Sequence, residues 1–264
     1  MDPGRIAELL QPFLHSPLGP SHPEGRKNEE PGVLSAAQLE SISTYINMLL
    51  RWNSRINLTA IRDPEEIVPR HFGESLYAAR HLFRTGRSPE EREGASVERE
   101  PGRAVGPLAP GAVRVADLGS GAGFPGIPIK LWAPGIGLTL IESNHKKATF
   151  LREITRALTL TSVNIQTLRA EILTGAAFDV VTLRAVERFE SILPTAVSLL
   201  ARRGRLALLI GSAQLTQAQT TLANLAGQFE APPTWSVPMP IPLSRSRILA
   251  VVSLSKPVGD DVPK

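Results

Sequence analysis

Between Ser35 and Trp52 the apolar residues Leu39, Ile42, Ile46 and Leu49 recur at helical spacing, and Ser35-Ala36-Ala37-Gln38 at the start has the form of a capping box. The pattern predicts a helix ending near Trp52. After a turn through Asn53 to Thr59, Asp63-Pro64-Glu65-Glu66 opens a second helix, with an acid as N-cap and Pro at the first helical position. That helix is expected to run, with breaks, to Phe83. From Val113 the texture changes to short apolar runs alternating with amphipathic segments. Strands are predicted at Val113–Leu118, Leu138–Glu142, Val163–Thr167, Phe178–Thr182, Leu206–Ile210 and Ile248–Leu254, and helices near 126–132, 145–159, 187–200 and 214–226. Strand and helix taking turns at this spacing implies βαβ units, right-handed crossovers and an open α/β sheet, mostly parallel, with helices on both faces.

Two stretches break the pattern. Residues 15–33 are rich in Pro, Gly and charge, too poor in large apolar groups to offset the entropy of ordering, so 1–33 is expected to be a flexible extension. Residues 84–112 have the same texture and read as a disordered insert. The expected organisation is therefore a helical segment at 34–83, an α/β domain at 113–256 and a short tail at 257–264.

With 42% hydrophobic and 20% charged residues, the 264-residue chain can bury a sizeable core. It has no cysteine, which excludes disulfides, thiolate metal sites and thiol nucleophiles and fits a reducing compartment. No stretch approaches the roughly 18 apolar residues of a membrane span, and the first residues lack a basic region followed by an apolar one. A soluble cytoplasmic protein without a membrane partner is expected. The net charge of +4 is modest, but residues 113–264 hold 16 basic and 10 acidic groups, so the excess sits in the folded C-terminal part. Arginine supplies 23 of the 29 basic residues, and its planar fork suits phosphates and base edges, although genomic base composition also produces such a bias.

The most informative stretch is V-A-D-L-G-S-G-A-G-F-P-G at 115–126, between a predicted strand and a predicted helix. Gly119, Gly121 and Gly123 remove side chains where the backbone must turn and a ligand must approach the main chain. The dinucleotide fingerprint would be G-x-G-x-x-G/A with a pyrophosphate over the helix N-terminus. Here the spacing differs, and Asp117 stands two positions before the first glycine, where it would repel a pyrophosphate and attract a cationic or amino-bearing ligand. Glu142, 23 residues after Gly119 and at the end of the second predicted strand, is placed to accept both hydroxyls of an adenosine ribose. Together these point to S-adenosylmethionine, with a nicotinamide dinucleotide as the competing ligand.

Five segments in order, Y-I-N-M-L-L-R-W-N-S-R-I-N-L-T-A-I-R-D-P-E-E at 45–66, R-H-F-G-E-S-L at 70–76, D-L-G-S-G-A-G-F-P-G-I-P at 117–128, E-S-N-H-K-K-A-T-F-L at 142–151 and F-D-V-V-T-L-R-A at 178–185, resemble the bacterial small-subunit ribosomal RNA guanine-N7 methyltransferases of the RsmG family, also called glucose-inhibited division protein B. The resemblance implies a class I methyltransferase fold with an N-terminal helical extension. It also implies methyl transfer from S-adenosylmethionine to N7 of a guanine in 16S ribosomal RNA. Position by position it implies cofactor contacts at Gly119, Phe124, Ala170 and Glu171, with Arg184 at the cleft. Asp117, Gly121, Gly123 and Glu142 are added on the grounds of charge, backbone and ribose.

Guanine N7 carries an exposed lone pair and needs no prior deprotonation, so no catalytic side chain is expected. The missing cysteine disfavours methylation at pyrimidine C5. Thr182-Leu183-Arg184-Ala185, in place of an Asn/Asp-Pro-Pro-aromatic turn, disfavours exocyclic amines. RNA, as free 16S or in the small subunit, would be held through phosphates with the target base unstacked. Candidates for a basic rim are Arg51, Arg55, Arg70, His71, Lys146, Lys147, Arg245 and Arg247, with Trp52 as a core residue or a base-stacking one. His71 lacks a second ligand at metal-binding spacing. A monomer is the default expectation. Against the family pattern, Gly73-Glu74 replaces a frequent Leu-Asp, and Ile210 replaces a frequent lysine. Two alternatives stay open: another methyltransferase or nicotinamide-linked enzyme on this architecture, and a non-catalytic RNA-binding assembly factor.

Overall fold

The computed structural model describes residues 1–15, 32–83, 111–173, 175, 177–184 and 189–257. The expectations for 16–31, for the insert at 84–110 and for the tail at 258–264 lie outside the described residues.

The first helix was not foreseen. Residues Pro3–Leu14 form α1, whose N-cap Asp2 accepts from the Arg5 amide at 2.9 Å. Ile6, Leu10, Phe13 and Leu14 are buried, so α1 docks its apolar face into the core and residues up to Leu14 are not part of a flexible extension. The physical reason is an apolar stripe at helical spacing, the same signal that was read from Ser35 onward. The next helix, α2 (Ala36–Asn53), starts as expected: Ser35 and Gln38 exchange both capping-box hydrogen bonds. Helix α3 (Pro64–Ile67) is capped by Asp63, whose carboxylate accepts from the Glu65 amide at 3.0 Å. The chain then winds through a π-helical turn, Val68–Gly73, into α4 (Glu74–Leu82). The break anticipated in this helix is thus a wider turn, a form that tends to occur at functional positions.

In the C-terminal part β1 (Arg114–Leu118), α5 (Gly126–Trp132), β2 (Gly137–Ile141), α6 (His145–Ala157), β3 (Val163–Gln166), β4 (Phe178–Arg184), α7 (Phe189–Ser198), β5 (Leu200–Gly211), α8 (Leu215–Asn224), β6 (Ala231–Trp235), β7 (Met239–Pro240) and β8 (Arg247–Ser255) follow one another. The strands form one sheet in the order β3-β2-β1-β4-β5-β8-β6, with β7 on β8. Pairs among β1 to β5 are parallel, and β8 runs antiparallel to β5. This is a mostly parallel sheet covered by helices, the architecture that the sequence resemblance implies. Two details differ from the sequence pattern. Strand β5 begins at Leu200, where the helical pattern was read as continuing. Strands β6 and β7 went unnoticed because Pro232, Pro233 and Pro240 argue against a strand, and edge or short strands are where proline is tolerated.

Strand residues alternate between two cores. Val115, Leu138, Leu140, Val180 and Leu209 face α5, α6 and the N-terminal helices, whereas Ala116, Leu118, Val181, Leu183 and Leu208 face α7 and α8. The N-terminal helices therefore close one face of the sheet. They bring the π-helical turn to the carboxyl ends of β1 and β4, the edge where open α/β sheets bind ligands.

Candidate active site

The bend after β1 is built from backbone and held by acids. Gly119, Gly121 and Gly123 have φ of +68, +56 and +91°, in the left-handed region where a side chain is strained. At Gly119 a Cβ would meet nothing within 4 Å, so this glycine faces open space. At Gly123 it would come within 2.5 Å of the Tyr45 hydroxyl, so there the absent side chain makes room for an N-terminal helix. Tyr45 in turn donates its hydroxyl to the Ala122 carbonyl.

Glu142 follows β2 and is 7% exposed. Its Oε2 accepts from the Gly121 amide at 2.9 Å and its Oε1 from the Asn144 amide at 2.7 Å. Each carboxylate oxygen keeps a second lone pair for a further donor. Asp117 is placed differently from expectation. It lies beneath the loop with no exposed surface, Oδ1 accepting from the Thr182 hydroxyl at 2.8 Å and Oδ2 from the Gly126 amide at 3.1 Å. Burial raises its pKa to about 6 against the opposing pull of these bonds. Its carboxylate positions the bend and the start of α5, and does not present a charge to the cleft.

Phe124 is 7% exposed. Its ring lies between Tyr45 (centroids 5.2 Å apart) and His71 (4.8 Å), so little of it is left to touch a ligand. Ala170 is buried and Glu171 exposed, both in a single 3-10 turn, Ala170–Ile172, beyond the end of β3. Since β1, β2 and β3 are neighbours, that turn stands on the same carboxyl edge as the glycine bend and Glu142.

Arg184 ends β4 with its side chain 9% exposed. Its Nη2 donates to the Arg70 carbonyl at 2.6 Å and to His71 Nδ1 at 2.9 Å, and stands 3.3 Å from Glu74 Oε2. Its Cζ lies 5.8 Å from the centre of the Phe124 ring. Because Nδ1 accepts, the His71 proton is on Nε2, which donates to Thr59 Oγ1 at 2.8 Å. Desolvation, followed by the nearby Arg184 charge, lowers the His71 pKa to about 3, so it is a neutral acceptor and not a basic rim residue. Burial lowers the Arg184 pKa to about 10, opposed by Glu74, and the guanidinium stays charged near neutrality.

Of the other rim candidates, Arg51, Arg55, Lys146 and Arg245 are exposed. Trp52 is tied down, its Nε1 donating to Glu153 at 2.9 Å and its ring set against Phe150. Sequence reasoning missed Glu74 as a site residue. It is 1% exposed and in ionic contact with Arg70, Arg184 and Arg247 at 3.7, 3.3 and 3.1 Å. The Arg70–Glu74 spacing of four, and the acid at the family's Asp position, were the signals the sequence held for it.

This geometry can be set beside known proteins. Residues 38–88 and 104–231 match the GidB family model, described as rRNA small subunit methyltransferase G. The chain belongs to that family. Among curated relatives, the ribosomal RNA small subunit methyltransferase G of Xylella fastidiosa M23 is 37% identical over 180 residues, 68% of this chain and 72% of that one. The protein of the same name from Roseiflexus castenholzii is 34% identical over 239 residues, covering 88% and 89%. The one from Streptococcus pyogenes is 30% identical over 248 residues, covering 90% and 93%.

Two departures from the GidB pattern have structural explanations. A Cβ at Gly73 would come within 2.5 Å of the Phe13 ring, so Phe13 of α1 occupies the space that a leucine would take. Ile210 is 3% exposed and completes the core under α7 and α8. Arg184, beside Leu209, and Arg247, beside Gly211, place two cations at this edge of the sheet.

Proposed function

We propose that this chain transfers a methyl group from S-adenosylmethionine to N7 of one guanine in 16S ribosomal RNA, acting in the cytoplasm. The observation that carries the reading is the pairing of an open, side-chain-free bend at Gly119 with the Glu142 carboxylate beside it. A ribose can lie against the one and donate its hydroxyls to the other. The residues present therefore fit the cofactor. Gly119 and Gly121 would supply main chain, Glu142 would accept from the sugar, and Ala170 and Glu171 would offer an amide and an acid for the adenine.

When bound, S-adenosylmethionine supplies a methyl group on a positively charged sulfur. Asp117 keeps the bend in shape through Thr182 and Gly126. Arg184, fixed by His71 and Glu74, holds a cation at the end of β4 where the purine would enter. Orientation and exclusion of water then suffice, since N7 has no proton to lose. Among the described residues no group of three or more His, Cys, Asp or Glu side chains could hold a metal ion, and no described helix is long and apolar enough to cross a membrane.

The test is genetic. Deleting the gene should remove one N7-methylguanine from 16S ribosomal RNA, and the wild-type gene but not Gly119→Arg should restore it. Persistence of every such mark in the deletion strain overturns the assignment.

A further inference from the structure

Three arginines meet one carboxylate at the cleft edge. Glu74 Oε2 lies 3.1 Å from Arg247 Nε and 3.3 Å from Arg184 Nη2, and Oε1 lies 3.7 Å from Arg70 Nε. Arg70 and Glu74 come from the π-helical turn and α4 that follow one another, and Arg184 and Arg247 from β4 and β8 far along the chain. His71, being neutral, adds no charge to the group. The cluster thus carries three positive charges against one negative, an excess that a bound anion would offset.

Its hydrogen bonding is also incomplete. Both Glu74 oxygens, Arg184 Nε and Arg247 Nε are buried without an aligned hydrogen-bond partner, although the ionic contacts are close. Buried polar atoms in that state have hydrogen-bonding capacity left for a further partner. The exposed side of the group is formed by Arg70, 45% exposed, and Arg247, 18% exposed. Arg184 faces inward, near the ring of Phe124 on the glycine bend.

We propose that Glu74 is a positioning residue for the RNA: it gathers Arg70, Arg184 and Arg247 into a partly neutralised cluster that takes one phosphodiester of the strand carrying the target guanine. The proposal rests on the methyltransferase reading and extends it to substrate placement. Glu74 holds the Arg184 guanidinium beside the glycine bend and that of Arg247 next to it while cancelling only one charge, so one phosphate is both attracted and fixed in distance from the reacting base. Guanidinium forks are suited to that geometry. A carboxylate alone would repel the strand, and unanchored arginines would bind it without fixing it.

The experiment uses full-length protein with small-subunit particles and 16S ribosomal RNA from cells lacking the gene. Arg247→Gln should raise KM for the RNA substrate at least ten-fold, with the Kd for S-adenosylmethionine changed less than about three-fold. It should also flatten the salt dependence of RNA binding, by up to about 0.7 to 0.9 in log–log slope, the value for one whole phosphate contact. Glu74→Gln should lower kcat/KM at least ten-fold, and Glu74→Asp should recover most of that loss. RNA KM and salt slope unchanged in Arg247→Gln overturn the proposal, as do equal losses in RNA and cofactor affinity, or Gln and Asp variants at Glu74 that are equally impaired while folded. If Glu74→Gln does not fold, Arg247→Gln decides alone. A wild-type protein that transfers no methyl group but binds RNA with a salt slope that Arg247→Gln flattens would defeat the functional reading and leave the phosphate site standing.

Discussion

The amide of Gly121 donates to Oε2 of Glu142 at 2.9 Å, which ties the bend after β1 to the carboxylate after β2. One acid therefore sets the shape of the loop and forms the wall against which a ribose would lie. Replacing it should act on both. Glu142→Ala removes a charged acceptor worth about 1.5–3 kcal/mol per hydrogen bond, so S-adenosylmethionine should bind about ten- to a hundred-fold more weakly by calorimetry. Glu142→Gln keeps one acceptor oxygen but turns an amide donor toward a backbone N–H, so it should also bind worse than wild type. Wild-type affinity in the alanine variant would remove Glu142 from the site.

The glycines of the bend should separate by what surrounds them. Gly119→Ala meets open space and bears only the strain of a left-handed residue, about 1–2 kcal/mol. Gly123→Ala adds a collision with Tyr45 and Ile127 to similar strain. Thermal denaturation should show the larger loss at Gly123, whereas cofactor binding should suffer at both. Equal melting temperatures for the two variants would mean that the Tyr45 contact does not hold the bend.

Acid stability should reflect two buried groups of opposite sign. His71 has a folded pKa of about 3, below its ordinary 6.5, so the unfolded chain takes up the proton first and stability is lost as pH falls from 6.5 toward 3. Asp117 has a folded pKa of about 6, above its ordinary 3.8, so its contribution is fully present below 3.8 and is lost as pH rises through 6. Between pH 4 and 6 the two oppose each other. Asp117→Asn should therefore make the fall toward acid steeper in that window, measured by urea denaturation at each pH. Ring nitrogen shifts of His71 that stay constant from pH 8 to 5 would support its neutral state, and a midpoint near 6.5 would contradict it.

Docking of the first helix should depend on one aromatic ring. Phe13 is 1% exposed and packs on Gly73. Phe13→Ala should cost about 3–5 kcal/mol. Gly73→Leu should destabilise by collision, and the double variant should be less damaged than the sum of the two, because a leucine can enter the space the ring vacates. Strict additivity in denaturant unfolding would show that the two positions do not share that space.

Much of this was legible from local pattern. The Ser35 and Asp63 caps, six of the strands and the glycine bend depend on residues close in sequence, and each takes the form its neighbours dictate. Helix α1 carried the same Asp-Pro start as α3, but Gly4, Pro12 and the Pro-rich segment after it obscured the periodicity of Ile6, Leu10 and Phe13. The inward turn of Asp117 was not readable, since its partners Thr182 and Gly126 come from another strand and from the far side of the bend. Nor was the Glu74 cluster, in which Arg184 and Arg247 are brought to α4 only by the sheet order. Spacing along the chain cannot encode a meeting of residues more than a hundred positions apart.

The most direct measurement is to incubate the purified protein with methyl-labelled S-adenosylmethionine and small-subunit particles or 16S ribosomal RNA from cells lacking the gene, then to digest the RNA and resolve its nucleosides by mass spectrometry. The account predicts label in 7-methylguanosine at a single position, abolished by Gly119→Arg. Label in any other nucleoside, or none from either substrate, would contradict it.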